Sequence, residues 1–354
     1  MKEIDKIPVF GLNNFDKSKY ILNHMNALNQ FHLKNSQDFK NIMEKFGTVK
    51  QSHERISDIP YIPVRLFKYN NLLSVPDKDI IKTMTSSGTS GQSVSKIFLD
   101  RDTAALQVKV LSKIMIDFIG SKRLPMLVID TKSIISNREK FSARTTGVLG
   151  FSMFGRDVEY ALNDDMTINL ERVEIFLEKY KSNNIFIFGF TFILWKHFLL
   201  EIAKLGKTIN IPKGIIFHGG GWKQLEKQSV DSAEFNLKIS STLNISKVYN
   251  YYGMVEQTGS IFVECEYGFL HSSSFSDVIV RNHKTHSPEN NGTEGLIQLL
   301  SIIPKSYPGH SLLTEDIGTI YGVDNCECGR MGKYFKVHGR MKSAEVRGCS
   351  DTYS

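Results

Sequence analysis

A chain of 354 residues is longer than one compact domain usually holds, so two packed units or one large α/β domain are expected. With 41% hydrophobic, 11% aromatic and 23% charged residues it has the makeup of a globular protein, which excludes wholesale disorder, collagen-like repeats and long coiled coils. The net charge of +7, from 44 basic against 37 acidic side chains, is scattered without a run of five or more basic residues, so a solvated surface is expected rather than a nucleic-acid groove.

The N-terminal stretch carries acids and Pro8 where an export signal needs an apolar segment, so retention in the cytoplasm is expected. Residues 1–80 read as a helical region, with apolar side chains at roughly helical spacing in two segments that break near Asn35 and Ser36. Two prolines, Pro60 and Pro63, impose an extended path on Ile59 to Lys68. From Met84 the pattern becomes α/β. A Ser/Thr/Gly loop leads to a short strand from Lys96 to Leu99, a helix from Asp102 to Gly120 and a strand from Pro125 to Asp130. The most apolar window, Ile185 to Trp195, is closed by Lys196 and His197, far short of the roughly 20 residues of a membrane-spanning helix. It reads as a buried strand, turn and helix. Further strands at Gly214 to His218 and Lys247 to Gly253, alternating with helices, imply a mostly parallel sheet with ligands beyond the strand ends. This core is placed at 81–261, a β-rich lobe at 262–339, and a hinge with a short tail at 340–354.

The seven residues Thr85, Ser86, Ser87, Gly88, Thr89, Ser90 and Gly91 are all hydroxylated or glycine, followed by Gln92. Such a loop offers amide and hydroxyl donors to phosphate oxygens, although the Walker spacing is absent. Gly219, Gly220 and Gly221 follow a strand directly, and bare backbone there suits a planar ring as well as a tight turn. In Tyr252, Gly253 and Glu256 an aromatic precedes a carboxylate that can reach a phosphate-bound Mg²⁺. Asp316 and Arg340 lie in turn-like segments further on. Cys265 with His271, and Cys326 with Cys328, supply four ligands of the kind that closes a tetrahedral Zn²⁺ site if the two pairs meet.

In this order the pieces resemble the adenylate-forming superfamily, and within it the acyl-protein synthetase family of bacterial luminescence fatty-acid reductase complexes. The narrower likeness rests on Asp58 to Pro63 with Leu66, Phe67 and Lys68, on the loop from Thr85 to Gly91, on Gly219 to Lys223 with Glu226, Lys227 and Gln228, and on Gly348 and Cys349. The region from Phe262 to Arg347 is nearer the phenylacetate-CoA ligase branch. The resemblance implies an α/β fold, the large N-terminal domain of adenylate-forming enzymes with layered, mostly parallel sheets and a β-rich lobe. It also implies that a carboxylic acid, fatty in this family, reacts with ATP to give an acyl-adenylate and pyrophosphate before a thiol takes the acyl group.

By the same likeness Thr85 to Gly91 hold phosphates, Glu256 holds Mg²⁺, Tyr252 and Gly253 with Gly219 to Gly221 flank adenine, Asp316 holds ribose, and Arg340 contacts ribose or phosphate. Thr85, Glu256 and Cys349 form the expected catalytic set, with Cys349 as the acyl-accepting nucleophile and a partner enzyme such as a reductase as the next acceptor. Phenylacetate-CoA-ligase-like proteins carry a cysteine and histidine arrangement comparable to the proposed Zn²⁺ ligands. Two departures are visible. Val255 replaces the usual Thr before the metal-binding Glu, and the mobile C-terminal domain of typical ligases, with its catalytic Lys, is expected to be absent. The sequence leaves two other functions open: a CoA or amine ligase acting on a small-molecule acceptor in a polysaccharide or natural-product pathway, and a non-catalytic scaffold. Phe188, Gly189, Phe190, Thr191, Phe217 and His218 are the expected acyl-pocket face or, equally, core.

Overall fold

The structure, a computed structural model, describes residues 2–50, 52–86, 93–135, 143–222 and 230–341. Its contacts divide into two compact units. The first takes the described residues of 2–86, 93–117 and 253–341, and the second those of 118–252.

The first unit opens with helices α1 (Lys2–Lys6), α2 (Asn14–Asn35) and α3 (Gln37–Lys45). Asn13 caps α2 by accepting the Asp16 amide. Ser36 ends α2 with its own amide bonded to the His32 carbonyl, and its hydroxyl then accepts the Phe39 amide to start α3. One residue therefore produces the break expected near Asn35 and Ser36. After β1 (Ile62–Pro63) the chain turns into a 3₁₀ helix over Val64–Lys68. The extended path expected as far as Lys68 thus stops at Pro63. That proline stands in the capping position, where its missing amide hydrogen deprives the helix of nothing. A two-stranded antiparallel pair follows, β2 (Ile80–Thr85) and β3 (Lys96–Asp100), and then α4 (Arg101–Ile119). Phe39, Met43, Ile62, Phe67, Leu72, Met84, Ile97 and Leu99 form one buried cluster, which ties α3, β1, β2 and β3 together.

The second unit contains β4 (Leu124–Thr131), α5 (Ala143–Ser152), β5 (Gly155–Leu162), α6 (Leu170–Lys179) and β6 (Ile185–Phe190). It continues with α7 (Thr191–Ile193), a π-helical stretch Leu194–Leu199, α8 (Leu200–Lys204), β7 (Gly214–Gly219), α9 (Ser232–Leu243) and β8 (Lys247–Tyr252). Its sheet is parallel in the order β8-β7-β6-β4-β5. Every residue of β6 and β7 is buried, which explains their unbroken apolar runs. Because the strands run one way, Thr131, Phe190, Gly219 and Tyr252 end at one edge of this sheet. The order reverses where β4 lies between β5 and β6, the arrangement that opens a crevice in wound α/β sheets. The sequence pattern did not reveal α5, β5 or α9. On β5, the edge strand beside β4, the charged Arg156, Asp157 and Glu159 blur the apolar signal.

Back in the first unit, β9 (Phe262–Glu264), β10 (Leu270–His271), β11 (Ser276–Arg281), β12 (Glu294–Ser301), β13 (Ser311–Val323) and β14 (Lys333–Arg340) form the expected β-rich region. They are antiparallel in the order β11-β12-β13-β14-β10-β9, and β1 joins β13 in parallel. Buried Arg281 and Gln298 on this sheet are paired. Arg281 donates to Gln298 Oε1 at 2.5 Å and to the Ser57 carbonyl at 2.7 Å, which fastens the segment before β1 to β11. Among the described residues no helix is long and apolar enough to cross a membrane.

Candidate functional site

Thr85 is the last residue of β2 and pairs with Lys96. Directly beyond it Ser86 and Ser95 face each other. The Ser86 amide donates to the Ser95 carbonyl at 3.0 Å, and the Ser95 amide donates to the Ser86 hydroxyl at 2.9 Å. These two bonds close the base of the hydroxyl-rich loop. Its residues Ser87, Gly88, Thr89, Ser90 and Gly91 lie outside the described residues, as does Cys349.

Glu256 sits in a 3₁₀ turn, Val255–Gln257, and is 6% exposed. Burial pushes its carboxyl upward, while a hydrogen bond from the Ser95 hydroxyl and the charge of Arg340 pull it down, and Asp316 pushes it up again. The backbone carbonyl of Glu256 accepts the Tyr307 hydroxyl at 3.0 Å. Asp316 on β13 is opposite Arg340 on β14 in the strand register, and Arg340 Nε donates to Asp316 Oδ1 at 3.0 Å. Three expected site residues, Glu256, Asp316 and Arg340, are therefore gathered within one electrostatic neighbourhood of the first unit. Gly253 also belongs to this unit; a methyl there would come within 3.2 Å of Ile261 Cγ2.

Gly219, Gly220, Gly221 and Tyr252 belong to the second unit, at the carboxyl ends of β7 and β8. The glycines have different reasons. A β-carbon on Gly219 would meet the ring of Tyr251 at 2.5 Å, so this residue must be bare for the tyrosine to lie across it. Gly220 takes a φ of +82°. A β-carbon on Gly221 would meet nothing within 4 Å among the described residues. Of the expected acyl-pocket face, Phe188 and Phe217 are fully buried, and Phe188 stacks on Phe151 at 4.4 Å; both are core. Thr191 Oγ1 and His218 Nδ1 lie 2.9 Å apart, and burial pushes His218 down to about 3, so the imidazole is neutral. Sequence reasoning did not find the buried pair of Arg144 and Asp130 at the end of β4, in which Arg144 Nε donates to Asp130 Oδ2 at 2.8 Å. A lone Asp and a lone Arg in sequence carry no signal for such a contact.

The four expected zinc ligands also converge within the first unit. Their ligand atoms lie within 4.8 Å of one another, with Cys265 Sγ 3.9 Å from Cys326 Sγ and Cys328 Sγ 3.3 Å from His271 Nε2. Tetrahedral bonds of about 2.3 Å to sulfur place neighbouring ligand atoms about 3.8 Å apart, so the set fits Zn²⁺. Two matching turns build it. Cys265-Glu266-Tyr267-Gly268 and Cys326-Glu327-Cys328-Gly329 each close with the glycine amide donating to the first cysteine's carbonyl, at 2.9 and 3.0 Å. Gly268 and Gly329 adopt φ of +76° and +77°, which a residue with a side chain rarely does. Burial pushes His271 down to about 4, leaving it neutral as a ligand requires, and pushes the Cys265 and Cys326 thiols up. A dication is what would hold such buried sulfurs as thiolates.

Comparison with known proteins gives this geometry its context. The family model described as "Acyl-protein synthetase, LuxE" matches residues 5–354. The chain belongs to the acyl-protein synthetase family. It is an ATP-dependent, acyl-activating ligase. It is 26% identical, over 346 residues, to the long-chain-fatty-acid–luciferin-component ligase of Vibrio harveyi, a match covering 91% of this chain and 84% of that one. With the ligase of the same description from Aliivibrio fischeri it shares 24% identity over 335 residues, covering 90% of this chain and 84% of the relative. Among solved structures, an open conformation of 2-hydroxyisobutyryl-CoA ligase in complex with 2-HIB-AMP and CoA superposes with a TM-score of 0.72 at 15% identity, covering 94% of this chain and 76% of that one. That likeness establishes the fold, which is the adenylate-forming one expected from the motifs.

Proposed function

We propose that this acyl-protein synthetase family member activates a long-chain fatty acid and passes the acyl group to the thiol of Cys349. The relatives are described as ligases of long-chain fatty acids. In the first step a carboxylate oxygen attacks the α-phosphorus of ATP, the bond to pyrophosphate breaks, and an acyl-adenylate forms. In the second the Cys349 thiolate attacks the acyl carbon and AMP leaves, the thiol proton having passed to solvent. A partner enzyme, such as a reductase, then takes the acyl group.

The observation that carries the reading is the gathering of Glu256, Asp316 and Arg340 from three separate segments. Attack of one anion on another is chiefly a problem of positioning and charge neutralisation. Glu256 would hold Mg²⁺, which supplies positive charge to the phosphates. Asp316, oriented by Arg340, accepts the ribose hydroxyls, and Arg340 contacts a phosphate or ribose oxygen. Thr85 and the loop through Gly91 donate to phosphate, while Gly219, Gly220, Gly221, Tyr252 and Gly253 serve the adenine. Cys265, His271, Cys326 and Cys328 would hold a structural Zn²⁺ with no part in the chemistry.

The test is acid-dependent ATP–pyrophosphate exchange across a panel of short, long and aromatic carboxylates. Exchange favouring long-chain acids, abolished in Glu256→Ala at an unchanged melting temperature, supports the reading. Exchange that is indifferent to Glu256, or confined to short acids, overturns it.

A further inference from the structure

The turn that carries Glu256 is fastened at two adjacent residues. The Glu256 backbone carbonyl accepts the Tyr307 hydroxyl at 3.0 Å. The next residue, Gln257, is 1% exposed, and its side-chain Nε2 donates to the Gly309 carbonyl at 2.8 Å and to the Leu299 carbonyl of β12 at 3.1 Å. Both amide hydrogens are thereby used, and the opposite orientation would set Oε1 against two carbonyls, so the chemistry fixes which way the amide faces. Gly309 closes the arrangement: a β-carbon there would lie 2.7 Å from the Glu256 carbonyl oxygen and run into the Tyr307 ring.

Oε1 of Gln257 is buried with no partner among the described residues. That orphaned acceptor costs stability, which marks the side chain as one that fills this space for its two donors rather than for its bulk. The anchor points decide what the donors achieve. Leu299 stands opposite Leu312 in the pairing of β12 with β13, and β13 sets Asp316 opposite Arg340 on β14. The clamp therefore refers the acidic turn to the same sheet that holds the Asp316–Arg340 pair.

We propose that Gln257 and Tyr307 are positioning residues for the metal carboxylate: by pinning the backbone at and just after Glu256 to this sheet, they set where its carboxyl stands relative to Asp316 and Arg340. This deepens the reading above and rests on Glu256 as the magnesium ligand. Groups that orient a metal ligand from behind contribute about tenfold to a hundredfold in metal affinity.

The experiment uses the full chain with ATP and no acid, so that nothing turns over. Binding of Mn²⁺–ATP is followed by water-proton relaxation enhancement, and the Mg²⁺ dependence of pyrophosphate exchange is measured separately with acid present. Gln257→Met removes both donors at similar volume, and Tyr307→Phe removes one hydroxyl. Each is expected to weaken Mn²⁺–ATP binding and raise the Mg²⁺ half-saturation by about tenfold, with exchange recovering at saturating metal. Tyr307→Phe carries the test should Gln257→Met fail to fold. Ser260→Ala is the structural control: it cuts the 2.6 Å contact of Ser260 Oγ with Ser301 Oγ at the end of β12, and is expected to lower the melting temperature while leaving Mn²⁺–ATP affinity unchanged. Unchanged affinity in Gln257→Met and Tyr307→Phe overturns the proposal, as does an equal weakening in Ser260→Ala, which would report a general loosening of the turn. Glu256→Ala separates the two levels. If it binds Mn²⁺–ATP normally, the metal role of Glu256 falls and the clamp with it; if it alone loses the complex, the parent reading stands and only the clamp is refuted.

Discussion

The acid sensitivity of the first unit is expected to centre on His310. This imidazole is 1% exposed, stacks on His32 of α2 at 4.8 Å and meets Phe39 of α3 edge-on at 5.7 Å. Neither of its ring nitrogens has a hydrogen-bond partner among the described residues. His32 differs, lying 2.8 Å from the Ser74 hydroxyl and 3.2 Å from the Pro304 carbonyl. Burial pushes His310 from the ordinary 6.5 down to about 3, and pushes His32 down as well, helped by repulsion from His310. The folded chain therefore binds fewer protons than the unfolded one across that interval. The stability His310 contributes is complete above pH 6.5 and is lost as the pH falls toward about 3.

Between about pH 7.5 and about pH 5 the loss through His310 alone is about 2 kcal/mol, an order-of-magnitude figure from one proton taken up only on unfolding. Replacement by leucine removes the titration at similar volume, with a neutral-pH cost of less than about 1.5 kcal/mol. Urea unfolding followed by far-ultraviolet circular dichroism at both pH values measures the difference. His310→Leu is expected to lose about 2 kcal/mol less than the unaltered chain on acidification. Equal losses in the two proteins would show that the buried histidine does not govern the acid response, and the reasoning would fail.

Three further outcomes are expected. Cys349→Ser retains pyrophosphate exchange but yields no hydroxylamine-labile acyl adduct by intact mass; an adduct persisting in that variant would assign the acceptor elsewhere. Cys328→Ser loses bound zinc by elemental analysis and melts several degrees lower, because the metal links two distant turns; a zinc-free unaltered protein would remove the metal from the account. Gly219→Ala destabilises by about 1–3 kcal/mol in thermal or urea unfolding, since its methyl would lie 2.5 Å from the Tyr251 ring. An unaffected variant would mean that Tyr251 moves aside freely.

Much of the local structure was legible because its causes are local. The capping side chain of Ser36, the apolar runs of β6 and β7 and the glycine-rich ends of strands act within a few residues, so composition and spacing reveal them. The motifs carried the chemistry for the same reason: a hydroxyl-rich loop, a turn with a carboxylate and two cysteine turns are functional types before they have positions. Where β5 and α9 went unread, charge on the outer strand and weak periodicity had diluted the signal.

Which of those pieces meet was decided by the tertiary structure. Asp316 reaches Arg340 because the β13–β14 register sets them opposite, and a slip of one residue would turn them to different faces. Cys265 and His271 join Cys326 and Cys328 because β10 lies beside β14, so that turns distant in sequence close on one another. Residues 253–341 group with the N-terminal segments rather than with the strands just before them. Contacts of this kind depend on strand order and register, which are cooperative properties of the whole packed chain, and no window of sequence contains them.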